Sequence, residues 1–148
     1  RVSLKMKDVD IVCLYKQALI LDTGSPHYVL FEIDIANKNV VEKARKIRYS
    51  EMFAQEGINV NFVEKKNESE IFVRTYERGV EGETLSCGTG VVASSLATAF
   101  QSLEPVSEIN VVTLGGNLQV KFKPVNYGFK NIFLIGAAEK VFEGEIEI

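Results

Sequence analysis

Cys87 is the residue whose type and surroundings suit catalysis best in this sequence. It opens the run Cys-Gly-Thr-Gly, which leads into a mostly small and apolar stretch, Val91 to Phe100, that predicts a buried helix. A thiol just before a helix lies beside unpaired N–H groups and the positive end of the dipole, which predicts a lowered pKa. Because Gly88 and Gly90 lack side chains, those N–H groups could hold a carboxylate near the sulfur. The pattern predicts proton transfer at an amino-acid α-carbon; the alternative is a tight turn into a packed helix.

Three other polar residues are candidates for chemistry. Glu77 and Arg78 end a strand-like run, and their simplest interpretation is an exposed pair, because adjacent strand residues point to opposite faces. His27 follows Gly-Ser-Pro, where a turn is expected, and a histidine there is usually a hydrogen-bonded turn residue. Close to a thiol, its pKa near neutral pH would suit acid–base catalysis. One histidine and two distant cysteines predict no metal site, and no phosphate-loop or dinucleotide pattern is present.

The elements that would position these residues are mostly short strands. Segment Val40 to Met52 is amphipathic and predicts a surface helix capped by Asn37 or Asn39, whereas the stretch after Cys87 has no polar face and predicts a buried helix. The sequence therefore predicts an α+β domain whose sheet curls around the apolar helix. The strand-like runs are Val2 to Met6, Ile11 to Tyr15, Ala18 to Leu21, Tyr28 to Ile33, Ile58 to Val63, Ile71 to Tyr76, Ile109 to Leu114, Leu118 to Phe122 and Ile132 to Ile135.

Composition narrows the classes of partner. The 148 residues are ordinary for one globular domain, and 20 acidic against 17 basic residues form no basic block that would favour nucleic acid or an anionic membrane. No apolar run approaches the roughly 20 residues of a membrane span, so a soluble cytoplasmic protein is expected. Cys13 lies in an apolar run and is expected to be a small buried residue, not half of a disulfide. The chain opens on Arg1 directly in a strand pattern, which suggests a fragment.

The segments around Cys87 closely resemble the second active-site motif of diaminopimelate epimerases. The similarity lies in Tyr-Glu-Arg-Gly at 76–79 and in Gly-Glu-Thr-Leu-Ser-Cys-Gly-Thr-Gly at 82–90. Further similar runs follow in the family's order and extend over most of the chain: Gly-Ser-Pro-His at 24–27, Gly-Ile-Asn-Val-Asn-Phe at 57–62, Gly-Gly-Asn-Leu at 115–118 and Val-Phe-Glu-Gly-Glu-Ile at 141–146. The resemblance implies a fold of two similar lobes, each a curled, mostly antiparallel sheet around a central helix, with the substrate between them. Residues 1–148 would be the C-terminal lobe.

The resemblance also implies an activity, the conversion of LL-2,6-diaminopimelate to its meso isomer for lysine and peptidoglycan synthesis. This reaction uses two opposed thiols and neither pyridoxal phosphate nor a metal. Cys87 would be one thiol, and Glu77 would help to deprotonate it and hold the distal amino group. The second Cys-Gly turn is missing here, and Cys13 does not replace it because no glycine follows. The chain alone is therefore expected to be inactive and to need an N-terminal lobe, and a homodimer is a further expectation.

The resemblance also implies a role for each of the remaining site residues. Arg78 and Asn59 match contacts to the distal carboxylate, and His27 matches a histidine that assists the cysteine of the absent lobe. The family commonly has asparagine where this chain has Ser25, which puts that distal contact in doubt. The N–H groups of Gly88 and Thr89 match part of the α-carboxylate cradle.

Two other functions stay open. One is a related racemase or isomerase, of the proline or hydroxyproline type or of the phenazine type. The other is a binding domain that keeps the fold without activity. The pair Arg78 and Asn59 favours a substrate with a distal carboxylate over a proline-type substrate, and retention of Cys87 weighs against a pure binding role.

Overall fold

The structure is a computed structural model that describes residues 1–148. It has ten strands and two α-helices, with a short 3-10 helix at Ile35–Asn37. The helices are α1 (Val40–Arg48) and α2 (Gly88–Gln101). The strands are β1 (Val2–Lys5), β2 (Cys13–Tyr15), β3 (Ala18–Asp22), β4 (Pro26–Phe31), β5 (Asn59–Asn67), β6 (Glu70–Glu77), β7 (Gly82–Thr84), β8 (Glu108–Thr113), β9 (Gly116–Val125) and β10 (Gly128–Gly136).

All strands belong to one sheet, in the order β1-β10-β9-β8-β6-β5-β4-β3-β2, with β7 paired to β6 off this path. Only the β4–β5 and β6–β8 pairs are parallel, and every other pair is antiparallel. Seven strands contact α2, namely β3, β4, β5, β6, β8, β9 and β10, so the sheet curls around this helix. The predicted α+β class, with a curled and mostly antiparallel sheet around a central helix, is confirmed.

Helix α2 is buried because its residues are small or apolar on every side. Residues 90–98 are all buried, and Val91, Val92 and Leu96 pack into the larger core cluster with the inner faces of the strands. Two of the three buried hydroxyl groups inside this helix bond to the preceding turn: Ser95 donates to the Val91 carbonyl at 2.9 Å and Thr98 donates to the Ser94 carbonyl at 2.8 Å, whereas the Ser94 hydroxyl has no partner. A helix held by core packing on all sides gives its first turn a fixed position.

Helix α1 packs on the other face of the sheet, against β5 and β6. Asn39 caps it, since its side-chain oxygen accepts the N–H of Glu42 at 3.1 Å, and Val40 and Ala44 are buried in the smaller core cluster. The predicted end at Met52 is wrong, because the helix stops at Arg48. There the Ser50 N–H and hydroxyl both donate to the Ile47 carbonyl, which replaces the helical bonding by a tighter turn.

Three features differ from the sequence predictions or go beyond them. Cys13 is exposed, not buried, because β2 is an edge strand paired only with β3 and its face is uncovered; Leu14 beside it is 75% exposed. Strand β7, which pairs with β6 just before Cys87, was not predicted. Residues 137–148 have no regular structure and are exposed.

None of the helices is both long enough and apolar enough to cross a membrane.

Candidate active site

Cys87 is the N-cap residue of α2, with an extended backbone at φ −126° and ψ 112°. The first backbone bond of the helix runs from the Val91 N–H to the Cys87 carbonyl at 2.8 Å. The preceding N–H groups of the first turn have no carbonyl partner within a helix, and no side chain caps this end. The N–H groups of Gly88 and Thr89 are therefore available beside a half-buried thiol.

The predicted lowering of the Cys87 pKa is wrong for this chain. Burial raises the pKa of the thiol above its ordinary value, and the nearby Glu77 carboxylate adds to the increase by disfavouring a second negative charge. Hydrogen bonds from the Thr89 hydroxyl and the Gly90 N–H oppose this and favour the thiolate. The helix start therefore does not outweigh burial, and Cys87 carries its proton at neutral pH.

His27 lies against the start of α2, not in a turn. It is the second residue of β4 and is completely buried. Its Nε2 is 2.9 Å from the Thr89 hydroxyl, and its Nδ1 is 2.9 Å from the amide nitrogen of Asn61. Burial lowers the pKa of His27 to about 4, so the ring is neutral at pH 7. Within this chain, the hydrogen-bond partners of His27 are Thr89 and Asn61, and its expected assistance to a cysteine of another lobe stays a prediction.

A second cluster brings Ser25, Asn59 and Arg78 together. The Asn59 amide donates to the Ser25 hydroxyl oxygen at 2.8 Å, and its oxygen accepts the backbone N–H of Arg78 at 2.9 Å. The Arg78 guanidinium donates to the same Ser25 oxygen at 3.3 Å and to the Glu56 carbonyl at 3.0 Å. Ser25 therefore joins this cluster in spite of its short side chain, and its own hydroxyl proton is left for another acceptor.

The loop at 23–25 links the two clusters. The Thr23 hydroxyl donates to the backbone carbonyl of Thr89 at 2.8 Å, which fixes the loop to the first turn of α2. Two residues later, Ser25 contacts Asn59 and Arg78. The thiol, the free helix N–H groups and the guanidinium therefore belong to one contiguous region.

The turn after β6 holds Glu77 and Arg78 on this region. The Thr84 hydroxyl of β7 donates to Glu77 Oε1 at 2.5 Å, which orients that carboxylate. Glu81, at φ +56°, closes the turn by accepting from the Gly79 N–H, Tyr76, Tyr49 and Arg48, and these bonds lower the pKa of Glu81 to about 2 although its burial acts to raise it. Strand β6 ends at Glu77, so the alternation that sends neighbouring side chains to opposite faces does not apply to Arg78, which lies in the turn.

Four residues of this region were not singled out from the sequence: Thr23, Asn61, Glu81 and Thr75, whose hydroxyl donates to the Asn61 oxygen at 2.9 Å. Asn61 alternates with Asn59 along a strand that is otherwise apolar, at β5, and two asparagines in a buried strand were a usable signal. The other three had none, because their partners lie on other elements of the fold: Thr89 on α2 for Thr23, Asn61 on β5 for Thr75, and Arg48 and Tyr49 at the end of α1 for Glu81. All eight predicted site residues lie in or beside the region around Cys87.

Comparisons with known proteins identify the family of this chain. The family model described as diaminopimelate epimerase matches residues 19–141. A diaminopimelate epimerase of Flavobacterium psychrophilum is 44% identical over 98% of this chain and 57% of its own length. The enzyme of Aquifex aeolicus is 42% identical over 86% of this chain and 45% of its own length. This chain therefore spans about half the length of these relatives.

A solved structure supports the fold independently. The phenazine biosynthesis protein of the PhzF family from Bacillus anthracis superposes on 90% of this chain and 40% of its own, with a TM-score of 0.53 and 20% sequence identity. An identity this low bears on the fold alone. The match of the family model to most of the chain, together with the identity to the curated relatives, decides the assignment: this chain belongs to the diaminopimelate epimerase family.

Proposed function

We propose that this chain supplies one side of the active site of a cofactor-independent epimerase that converts LL-2,6-diaminopimelate to the meso isomer. The observation that carries the proposal is the Cys87 thiol at the start of α2, beside the free N–H groups of Gly88 and Thr89. These N–H groups suit an α-carboxylate, and the Ser25, Asn59 and Arg78 cluster suits a second carboxylate. Diaminopimelate carries an amino acid at each end, which matches two anion-binding clusters.

The chemistry follows from the position of the thiol. With the α-carboxylate on the helix N–H groups, the α-carbon lies beside Cys87 and faces a second thiol on the other side. One thiolate takes the α-proton, the electron pair stays on the carbon and spreads into the carboxylate, and the opposite thiol gives its proton to the other face. The N–H groups of Gly88 and Thr89 stabilise the extra negative charge on the carboxylate. A single base would return the proton to the face it left.

Glu77 and the raised pKa of Cys87 fit this cycle. Because Cys87 is protonated, it can donate its proton to the α-carbon while the opposite thiolate removes the α-proton. In the reverse reaction the two groups exchange roles. The Glu77 carboxylate, held by Thr84, can accept the thiol proton when Cys87 must act as the base. The same carboxylate is suited to the distal ammonium group of the substrate.

The opposing thiol is proposed to come from an N-terminal lobe, with residues 1–148 as the C-terminal lobe. Cys13 lies in an edge strand and is not followed by glycine, so it is not a candidate. A reactive thiol needs a reducing compartment, which supports the cytoplasm as the location. Exposed apolar side chains, among them Leu103 and Phe142, support contact with the other lobe or with a second copy in a homodimer.

The test is exchange of the α-proton in D2O, followed by NMR. This chain together with its N-terminal lobe should incorporate deuterium and interconvert the LL and meso isomers, and Cys87→Ser should abolish inversion. The chain alone should do neither. Inversion by the chain alone would contradict the need for a second thiol, and full inversion by Cys87→Ser in the two-lobed enzyme would contradict the role of Cys87.

Arg78 distinguishes diaminopimelate from a proline-type substrate, which has no distal carboxylate. In the two-lobed enzyme, Arg78→Ala should lower kcat/KM for diaminopimelate by about 10²-fold, because a charge-assisted bond to carboxylate is lost. Proline and hydroxyproline should be poor substrates of both forms. Unchanged selectivity in the variant would count against the distal site, and efficient racemisation of proline would favour the alternative activity. If the unaltered two-lobed protein binds diaminopimelate but does not invert it, a binding domain is favoured.

A further inference from the structure

The hydrogen bonds around Asn61 have directions that the structure determines. Its side-chain nitrogen lies 3.3 Å from the Tyr28 backbone carbonyl and 2.9 Å from His27 Nδ1. A carbonyl can only accept, so the atom that faces it must be the amide nitrogen. The amide oxygen then accepts from the Thr75 hydroxyl at 2.9 Å. The orientation of the Asn61 amide is thus settled on both sides.

This orientation selects one tautomer of His27. Because the Asn61 nitrogen donates to Nδ1, that ring atom must present its lone pair. A neutral imidazole with a bare Nδ1 carries its proton on Nε2. Nε2 lies 2.9 Å from the Thr89 hydroxyl, so the ring donates to Thr89. The Thr89 oxygen, having accepted this bond, has one proton to give, and Cys87 Sγ lies 3.5 Å away.

We infer that Asn61, held by Thr75, acts as a positioning residue that locks His27 as a donor to Thr89, so that the Thr89 hydroxyl points its proton at the sulfur of Cys87. This inference rests on the proposed function for the use of the thiolate. Both ring nitrogens of the fully buried His27 are bonded within this chain. Within this chain, His27 therefore reaches Cys87 through Thr89.

The charged groups near these hydrogen bonds are consistent with a neutral His27 ring. Asp22 and Arg78 are the charged groups that act on His27, and their effects on its pKa oppose each other. Glu77 is the charged group that acts on Cys87, and it disfavours the thiolate. A donor aimed at the sulfur counteracts both Glu77 and burial. A Cβ at Gly90 would lie 2.4 Å from the Asn61 oxygen, so glycine leaves the room that this amide needs.

The test uses the fact that His27 is the single histidine of the chain. In 15N-labelled protein, long-range 1H–15N NMR at pH 7 should show a bare Nδ1 and a protonated Nε2. A protonated Nδ1 with a bare Nε2 would overturn the inference. Asn61→Asp should reverse the tautomer or raise the pKa of the ring, since a carboxylate can only accept from Nδ1. A folded Asn61→Asp protein that keeps the original tautomer would also overturn it.

A matched pair at Thr89 tests the last bond. Alkylation of Cys87 by iodoacetamide is followed against pH in Thr89→Val, which lacks the hydroxyl, and in Thr89→Ser, which keeps it. The Val variant should show a thiol pKa about one unit higher, because a hydrogen bond to a charged group is lost, and alkylation about tenfold slower below that pKa. The Ser variant should retain the original profile. Equal profiles in all three proteins would refute the inference.

These readouts need no substrate. A wrong tautomer or an unmoved thiol pKa would refute the inference even if the two-lobed enzyme inverts diaminopimelate. Conversely, a confirmed tautomer with no epimerase activity would refute only the proposed function. Exposed Cys13 reacts with iodoacetamide too, so the measurements are made in a Cys13→Ser background.

Discussion

Acidification from pH 7.5 to 5 should weaken the fold through one residue, His27. In the unfolded chain this ring has an ordinary pKa of 6.5, whereas in the folded chain burial lowers the pKa to about 4. Between these values the unfolded state binds a proton that the folded state does not. Stability is therefore full above pH 6.5 and falls as the pH drops toward 4.

The magnitude follows from the shift. At about 1.4 kcal/mol per pKa unit, the complete loss is about 3 kcal/mol, of which about 2 kcal/mol falls between pH 7.5 and 5. Solvent screening does not reduce this free energy, because His27 is 0% exposed. Carboxylates whose pKa the fold lowers, such as Glu81 and Asp22, lose their stabilising contribution mainly below that window. The window therefore isolates the histidine.

The assay is urea denaturation of the 148-residue chain at a series of pH values, with His27→Gln as the control. The unaltered chain should lose about 2 kcal/mol of unfolding free energy from pH 7.5 to 5, and the control only a few tenths. An NMR titration of the same ring should give a midpoint well below 6.5. Equal loss of stability in both proteins over this window, or a ring that titrates near 6.5, would show that His27 is not the responsible group.

Two glycine pairs give further predictions. Gly57→Ala and Gly79→Ala both place a side chain at positive φ, but only the Cβ at 57 meets Arg78, at 2.7 Å. In the two-lobed enzyme, KM for diaminopimelate should rise about tenfold for Gly57→Ala and change little for Gly79→Ala; equal KM values would contradict the contact. Gly90→Ala should cost about 1–3 kcal/mol in urea denaturation through its clash with the Asn61 oxygen, whereas Gly82→Ala, with open space around it, should stay within about 0.5 kcal/mol. Similar stability for these two variants would show that the clash is relieved.

Local patterns predicted most of the secondary structure. The runs of β-branched and aromatic residues lie in nine of the ten strands, since strand propensity and alternation act over a few residues. The short β7 at Gly82–Thr84 was not predicted, because its three residues are polar or glycine and form a strand only by pairing with β6. The burial of Cys13 was wrong for a related reason: an apolar run does not reveal that its strand lies at the edge of the sheet.

The sequence by itself determined which residues could do chemistry. A cysteine before a helix with no polar face, flanked by glycines, indicates a thiol beside free N–H groups, and this is a property of neighbouring residues. The tertiary structure decided how that thiol behaves. Burial against the sheet and the approach of Glu77 raise its pKa, in opposition to the prediction. Desolvation and long-range charge depend on what packs around an atom, which no local pattern contains.

The same division applies to His27. The sequence placed it after a turn and suggested a role near a thiol, but its partners come from elsewhere in the chain, with Asn61 on the parallel neighbour β5 and Thr89 on α2. Parallel pairing of β4 with β5 aligns His27 with Asn59, which brings Asn61 within reach of the ring. Strand register therefore decided the tautomer and the direction of its hydrogen bonds, because those depend on contacts between segments that the chain brings together only when folded.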